Sequence, residues 1–218
     1  MAISCILFDL DGTIQDSETL AAEAHGHGIR TVFGRDATAD ELGNLKGQVV
    51  PKVLAALYPE HAVKLAELGT AYYERHAERI VNYDGVERLL HGLRQAGFRL
   101  GVVSSKPRKY ILRELDAKSL LDRFECVVGQ DDTTLHKPDT EPLLLAARLL
   151  GVGPEQCVYA GDQPGDMIAA RQAGMTAAAA LWGEGRRELL APLAPELPFE
   201  SPEQMLAHFT GQPEQAIG

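Results

Sequence analysis

Two carboxylates, Asp9 and Asp11, are separated by a single residue and come directly after the apolar run 3–8. Because alternate residues of an extended strand point to the same side, both side chains face one space if the strand continues to Asp11. Two carboxylates in one space resist ionising together, so the pair requires a cation, a retained proton, or both. Gly12 follows and permits a backbone conformation or a close ligand approach that a Cβ would hinder. The plainer alternative for this stretch alone is a strand end followed by a polar turn.

Further polar groups follow other apolar runs of the chain. Ser104 comes after a second such run, Asp162 and Asp166 come after a third, and Lys137 precedes a helical pattern. The carboxyl ends of parallel strands share one edge of a sheet, so these groups can converge on the same site. Mg²⁺, a hard cation that takes oxygen ligands and keeps water positions, would balance the carboxylates. Lys137 adds a fixed positive charge and Ser104 a neutral donor, which together suit a phosphoryl group.

Alternating strands and helices must position these groups. The pattern predicts strands over 3–8, 98–103, 126–129, 157–160 and 176–181, and helices over 86–96, 108–121, 140–150 and 167–173. Alternation of this kind is typical of an α/β fold with a doubly wound parallel sheet. The first strand is apolar at successive positions, as expected of a strand covered on both faces.

Residues 17–80 have a different character, with helical patterns and almost no strand signal. Ser17 is a plausible N-cap, Thr38 begins a capping-box sequence, Pro51 can open a further helix, and 60–80 is predicted to be one long helix.

We therefore predict an inserted helical domain over 16–85, within an α/β core built from 1–15 and 86–218. Hinges are expected at the two junctions of this insertion. The end of the chain, 212–218, is predicted to be disordered.

Composition excludes several classes of function. The 218 residues carry a net charge of -10, which gives no basic surface for nucleic acid or an anionic membrane. No run approaches the roughly 20 apolar residues of a membrane span, and no signal peptide is recognisable, so a cytoplasmic protein is expected. Cys5, Cys126 and Cys157 lie in apolar strand-like runs, which predicts buried reduced thiols.

The motifs in their order resemble one known family. The segment 9–13, of sequence DLDGT, with Ser104, Lys137, and the pair Asp162 and Asp166 after Gly161, resembles the four signature motifs of the haloacid dehalogenase superfamily of phosphohydrolases. The match covers the whole predicted core and points to the phosphoglycolate phosphatase-like branch. The helical insertion corresponds to that family's α-helical cap.

The resemblance implies catalytic roles. Asp9 is expected to attack phosphorus and form an aspartyl-phosphate, and Asp11 to serve as the general acid and base. Ser104 and Lys137 are expected to hold the transferring oxygens. Apart from the resemblance, Lys106 and Arg108 are expected either to add positive potential beside Ser104 or to cap solvent-facing loops.

The resemblance also implies ligand-binding residues. Mg²⁺ is expected on Asp9, the Asp11 carbonyl and Asp162, with Asp166 bracing the loop or a metal-bound water. Substrate contacts are expected from Asp9, Thr13, Ser104, Ser105, Lys137 and, in the cap, Lys46.

The function implied is Mg²⁺-dependent hydrolysis of a small phosphate monoester, phosphoglycolate-like or a sugar phosphate, by a monomer or homodimer. One alternative is phosphoryl transfer of the β-phosphoglucomutase kind. Those mutases typically carry Val at the position of Thr13, a His near Ala21 and an Arg near Val50; only His25, one turn beyond Ala21, could partly substitute. A non-catalytic regulatory protein on the same scaffold is a further alternative.

Overall fold

The computed structural model describes residues 2–211 of the chain. The described residues divide into two compact units, one formed by residues 2–15 and 82–211 and the other by Asp16–Val81. The predicted disordered tail, 212–218, lies outside the described residues. That the second unit acts as a cap with the boundaries 16–85 stays a prediction.

The strands of the described residues are β1 (Cys5–Phe8), β2 (Gln15–Asp16), β3 (Val81–Asn82), β4 (Arg99–Val103), β5 (Cys126–Val128), β6 (Cys157–Gly161), β7 (Thr176–Ala180) and β8 (Leu197–Phe199). Six of them form one sheet in the order β5-β4-β1-β6-β7-β8, and its neighbouring strands pair in parallel. The doubly wound parallel α/β fold predicted from the sequence is confirmed. β1 lies in the interior of this sheet, where both its edges are hydrogen-bonded.

The helices are α1 (Glu18–Phe33), α2 (Ala39–Gly43), α3 (Val50–Leu57), α4 (Ala62–Arg75), α5 (Val86–Gln95), α6 (Arg108–Ala117), α7 (Glu141–Leu150), α8 (Pro164–Gln172), α9 (Arg187–Leu190) and α10 (Pro202–Thr210). Helices α5, α6 and α10 contribute to the apolar core on one face of the sheet, and α7, α8 and α9 to the core on the other. The sheet is thus covered on both faces, which explains why its strands are apolar at successive positions.

The side chains of β1 show this two-sided burial directly. Cys5 and Leu7 belong to one core cluster, while Ile6 and Phe8 belong to the cluster on the opposite face. All four are essentially inaccessible to solvent. The first polar residue after the strand, Asp9, therefore emerges from a segment that packing holds on both sides.

Several predicted helix ends are wrong. The predicted helix over 108–121 ends at Ala117, because Ser119 adopts a φ of 55° that cannot continue a right-handed helix. The predicted helix over 167–173 begins earlier, at Pro164, since proline fits the first turn of a helix.

The C-terminal elements β8 and α10 have no counterpart among the predicted elements. Strand β8 contains Pro198, which argues against a strand in a sheet interior, but β8 lies at the sheet edge, where proline is tolerated. Helix α10 begins with Pro202 after Ser201, whose hydroxyl accepts the Gln204 N–H at 3.1 Å.

The helical unit contains α1 to α4 around a small apolar cluster of Ile29, Leu45, Leu54 and Leu65. The predicted helix over 60–80 is wrong in its extent: α4 ends at Arg75, and Ala77–Arg79 form a separate 3₁₀ turn. Packing of apolar side chains supplies most of the stability of a helix in a protein. Residues 74–79, of sequence ERHAER, offer little apolar surface to pack, so the helix does not continue through them.

Capping in the helical unit is partly as predicted. The capping box of α2 is confirmed, since Thr38 Oγ1 accepts the Glu41 N–H at 3.2 Å and Glu41 Oε2 accepts the Thr38 N–H at 2.8 Å. Ser17 occupies the N-cap position of α1, but its side chain makes no capping bond.

Two further expectations concern the whole described chain. Cys5, Cys126 and Cys157 are buried and free, as predicted. Among residues 2–211, no helix combines the length and apolar character that crossing a bilayer requires.

Gly129, after β5, lets the start of α6 pack closely against the sheet. A Cβ at this position would lie 2.5 Å from Arg108 N and 2.7 Å from Arg108 Cα. The φ of Gly129 is -108°, which any residue adopts, so the requirement for glycine is one of space alone. The backbone at the start of α6 therefore passes too close to Gly129 for a side chain to fit between them.

We expect Gly129→Ala to lower the free energy of unfolding by about 1–3 kcal/mol, because the backbone at Arg108 must move to admit the methyl group. The matched control is Gly165→Ala in the same unit, where the nearest atom to an added Cβ is 4.0 Å away. This control should be neutral or stabilising by up to about 1 kcal/mol. Urea unfolding followed by circular dichroism measures both; equal stabilities of the two variants would contradict the close approach.

Candidate active site

Lys137 lies in a buried ionic cluster beside the carboxyl ends of β1 and β6. Its Nζ is 2.9 Å from Asp9 Oδ2 and 2.8 Å from Asp166 Oδ1, and its side chain is 6% exposed. Nζ also donates a hydrogen bond to the Tyr159 hydroxyl at 2.8 Å. An ammonium group has three N–H donors, so these three oxygens match its capacity. Burial acts to lower the pKa of Lys137, but the Asp166 and Asp9 carboxylates outweigh it and raise that pKa.

The Asp9 carboxylate is held at both of its oxygens. The Asp9 N–H continues the strand pairing by donating to Ala160 O at 2.8 Å. Its Oδ1 accepts the Leu10 N–H at 2.8 Å, and its Oδ2 faces Lys137. Burial raises the pKa of Asp9 to about 7, although Lys137 opposes the shift. The side chain is thus fixed in orientation and strongly desolvated.

Asp166 is placed by the first turn of α8. Its Oδ2 accepts the Gln163 N–H at 2.9 Å, while its Oδ1 faces Lys137. The position near the helix N-terminus favours a negative charge. A Cβ on Gly161 would lie 2.5 Å from Asp166 Cγ, so glycine at the end of β6 is needed for this side chain to fold back.

Asp162 follows β6 and faces the loop after β1. Thr13 Oγ1 donates to Asp162 Oδ1 at 3.1 Å, and Gln163 Nε2 donates to Oδ2. Gly12 has a φ of 79°, and a Cβ on it would lie 2.5 Å from Asp162 Oδ2. Gly12 is therefore required for both its backbone conformation and the space it leaves.

Three buried carboxylates converge at this point. Oxygen atoms of Asp9, Asp162 and Asp166 lie within 4.8 Å of one another. Burial, together with the charges of Asp166 and Asp9, raises the pKa of Asp162 well above its usual range. Three carboxylates against the one ammonium of Lys137 leave an excess of negative charge, and oxygen ligands of this kind suit a hard divalent cation.

Asp11 belongs to a second cluster beside the first. Its Oδ1 lies 2.5 Å from Lys106 Nζ, which is also 2.6 Å from Glu114 Oε2. Ser104 Oγ lies 3.5 Å from Asp11 Oδ2. The Asp11 side chain is 19% exposed, against 7% for Asp9, so its carboxylate is the more accessible of the two. The two aspartates of the first motif therefore have different cations and different access to solvent.

Comparison with known proteins agrees with this arrangement. A family model described as haloacid dehalogenase-like hydrolase matches residues 6–180, which covers most of the chain. The chain belongs to the haloacid dehalogenase-like hydrolases. The resemblance found from the motifs is thereby confirmed.

Two named relatives and one solved structure are similar to this hydrolase over most of its length. It is 30% identical over 208 residues to pyrophosphatase PpaX of Anoxybacillus flavithermus, covering 95% of this chain and 97% of that protein. It is 35% identical over 185 residues to phosphoglycolate phosphatase of Xylella fastidiosa, covering 82% and 80% respectively. The crystal structure of a predicted phosphoglycolate phosphatase from Haemophilus somnus superposes with a TM-score of 0.84 at 23% identity, covering 94% of this chain and 97% of that one. This last similarity supports the fold.

The structure brings most of the predicted site residues of the hydrolase together. The first cluster holds Asp9, Asp162, Asp166 and Lys137 with Thr13 hydrogen-bonded to it, and the second holds Asp11 and Ser104. Ser105 is half-buried between Ser104 and Lys106. Lys46 lies in the helical unit after α2, and its contact with substrate stays a prediction.

Two residues of the clusters were not predicted from the sequence. Glu114 is buried on α6, on the same face as Ile111, which lies three residues earlier in the chain. The signal available in the sequence was an acidic residue at a helix position where the pattern expects an apolar one. Tyr159 lies inside the apolar run of β6. Its hydroxyl donates to Val103 O at 2.9 Å while accepting from Lys137, and nothing in the sequence indicates that role.

We expect Lys137→Met to lower the free energy of unfolding by about 3–5 kcal/mol, because it leaves the buried carboxylates of Asp9 and Asp166 without their cation. The matched control is Lys109→Met on the exposed side of α6, for which a change within about 0.5 kcal/mol is expected. Urea unfolding without added metal measures both variants. If Lys137→Met is as stable as the control, the carboxylates do not depend on this ammonium.

Proposed function

We propose that this hydrolase is a Mg²⁺-dependent phosphatase that acts on a small phosphate monoester through an aspartyl-phosphate on Asp9. The observation that carries the proposal is the Asp9 carboxylate, fixed at both oxygens beside Lys137 and two further buried carboxylates. A nucleophile of this kind must be oriented before it attacks, and here orientation is built in.

In the first step, an oxygen of Asp9 attacks phosphorus, and the bond from phosphorus to the leaving-group oxygen breaks. Asp11 gives its proton to that oxygen. In the second step, water attacks the phosphorus of the aspartyl-phosphate and gives a proton to Asp11, which releases phosphate and restores Asp9. The greater exposure of Asp11 supports this assignment, because a group that exchanges protons with a leaving group and with water must reach both.

The remaining groups of the two clusters orient the phosphoryl oxygens. Lys137 offers positive charge beside the attacking carboxylate, and the Ser104 hydroxyl offers a neutral donor. Charge on a transferring phosphoryl group is spread over its oxygens, so a fixed positive charge and a fixed hydroxyl donor both stabilise the transition state.

Mg²⁺ fits the donor set of the first cluster. Asp9, Asp162 and Asp166 supply buried oxygens within 4.8 Å of one another, and the space beside Asp162 exists because Gly12 lacks a Cβ. Asp9, Asp162 and the Asp11 carbonyl are the proposed ligands, with Asp166 bracing the loop or a metal-bound water. When bound there, Mg²⁺ supplies positive charge that offsets the carboxylates and the incoming phosphate.

Two substrates are favoured by the relatives. The Xylella fastidiosa relative is named for phosphoglycolate, which agrees with the monoester proposed from the sequence motifs. The Anoxybacillus flavithermus relative is named a pyrophosphatase and matches nearly the whole chain, so pyrophosphate is the second candidate.

We expect phosphate release that requires Mg²⁺, stops with EDTA, and falls at least about 1,000-fold in Asp9→Asn, because the amide is not a competent nucleophile. The assay uses phosphoglycolate, pyrophosphate, sugar phosphates and nucleoside monophosphates, and the substrate with the highest kcat/KM is assigned as preferred. The control is Asp122→Asn, a substitution of the same kind in the 3₁₀ turn after α6. Folded, Mg²⁺-loaded protein that releases no phosphate from any of them would refute the phosphatase and favour the mutase or the regulatory alternative.

Metal binding is testable without turnover. We expect saturating Mg²⁺ to raise the free energy of unfolding, by about 2.7 kcal/mol at 100 times the dissociation constant. Asp162→Asn keeps the size of the side chain and should stay folded without metal, but it should lose most of the Mg²⁺ response because an amide is a weaker ligand for Mg²⁺ than a carboxylate. Thermal unfolding with and without Mg²⁺ measures this, and an unchanged response in Asp162→Asn would remove Asp162 from the ligand set.

A further inference from the structure

Lys106 holds two carboxylates and one hydroxyl in a fixed relation. Its Nζ lies 2.5 Å from Asp11 Oδ1 and 2.6 Å from Glu114 Oε2, and its backbone N–H donates to Ser104 Oγ at 3.1 Å. Its side chain is 12% exposed, so the ammonium is largely shielded from water. We propose that Lys106, anchored by Glu114, is the positioning residue that orients Asp11 as the proton donor to the leaving group.

This inference rests on the proposed function, in which Asp11 is the general acid. It adds that the orientation of Asp11 is set by a residue that makes no contact of its own with the reacting phosphorus. Asp11 can be the general acid without being oriented by Lys106, so the two roles can fail separately.

Both oxygens of the Asp11 carboxylate are approached from the short segment 104–106. Lys106 Nζ faces Oδ1, and Ser104 Oγ, which accepts the Lys106 N–H, lies 3.5 Å from Oδ2. A carboxylate on a free side chain samples several rotamers, and each ionic contact removes some of them. The Oδ1 contact is the shorter and carries a full charge, so Lys106 contributes more to the orientation of Asp11 than Ser104 does.

The Lys106 ammonium must itself be held in place if it is to orient Asp11. Glu114 lies on the buried face of α6, and its side chain is 3% exposed. A buried carboxylate is stable only when paired, and Lys106 supplies that pairing. Because Glu114 takes no part in the proposed reaction, its pairing with Lys106 persists whichever state Asp11 is in. Glu114 is therefore an anchor that keeps the Lys106 side chain in place.

Proton donation speeds the departure of some leaving groups and is not needed by others. Departure of the glycolate oxygen from phosphoglycolate needs a proton, so it depends on a well-placed acid. The acetate of acetyl phosphate and the phenolate of p-nitrophenyl phosphate leave readily without one. Misplacement of Asp11 should therefore slow the first substrate selectively, whereas a general structural defect should slow all of them equally.

The experiment compares kcat/KM, which reports the steps up to formation of the aspartyl-phosphate, for phosphoglycolate and for the faster of the two activated esters. The variants are Lys106→Met, which keeps the length of the side chain, and the double variant Lys106→Met with Glu114→Gln. The double variant removes the buried carboxylate that the single variant leaves without its cation, so it stays folded if the single variant does not. Lys109→Met, exposed on α6, the helix that carries Glu114, is the control.

We expect both Lys106 variants to lose about 100-fold in kcat/KM for phosphoglycolate and less than about fivefold for the activated ester. Lys109→Met should leave both values unchanged. Equal losses on the two substrates, or no loss on either in the folded double variant, would overturn the positioning role. A wild type that hydrolyses none of the esters would overturn the proposed function and this inference with it, whereas an active wild type with equal losses would overturn this inference alone.

Discussion

The pairing of Lys137 with buried carboxylates is the interaction on which the site depends. Three carboxylates at the edge of a sheet repel one another, and each loses the hydration that stabilises its charge. An ammonium between Asp9 and Asp166, fixed in addition by the Tyr159 hydroxyl, makes the arrangement possible. The parallel sheet also makes this ammonium necessary, because its strands end at one edge and bring the carboxylates together.

The two aspartates of the first motif pair with different cations although they are two residues apart. Asp9 shares Lys137 with Asp166, while Asp11 shares Lys106 with Glu114. Each has its own cation, so their orientations are set independently. This division fits a reaction in which one carboxylate attacks and the other exchanges protons, since the two tasks demand different surroundings.

Much of the fold could be predicted from the sequence because its patterns are local. The apolar run before Asp9 predicted β1, and the alternation of strands and helices predicted the parallel sheet. The failures have physical causes that are not local. Proline in β8 is tolerated because the strand lies at an edge, and the helix predicted over 60–80 stops where packing no longer supports it.

The sequence by itself determined which residues stand at the ends of the buried strands, and so which side chains are available for chemistry and which family the chain resembles. Only the tertiary structure decided how these charges are shared: that Lys137 bridges Asp9 and Asp166, and that Lys106 joins Asp11 to Glu114. The reason is that the order of motifs along a chain is fixed by covalent connection. The pairing of charges depends instead on which strands lie side by side and which face of a helix is buried.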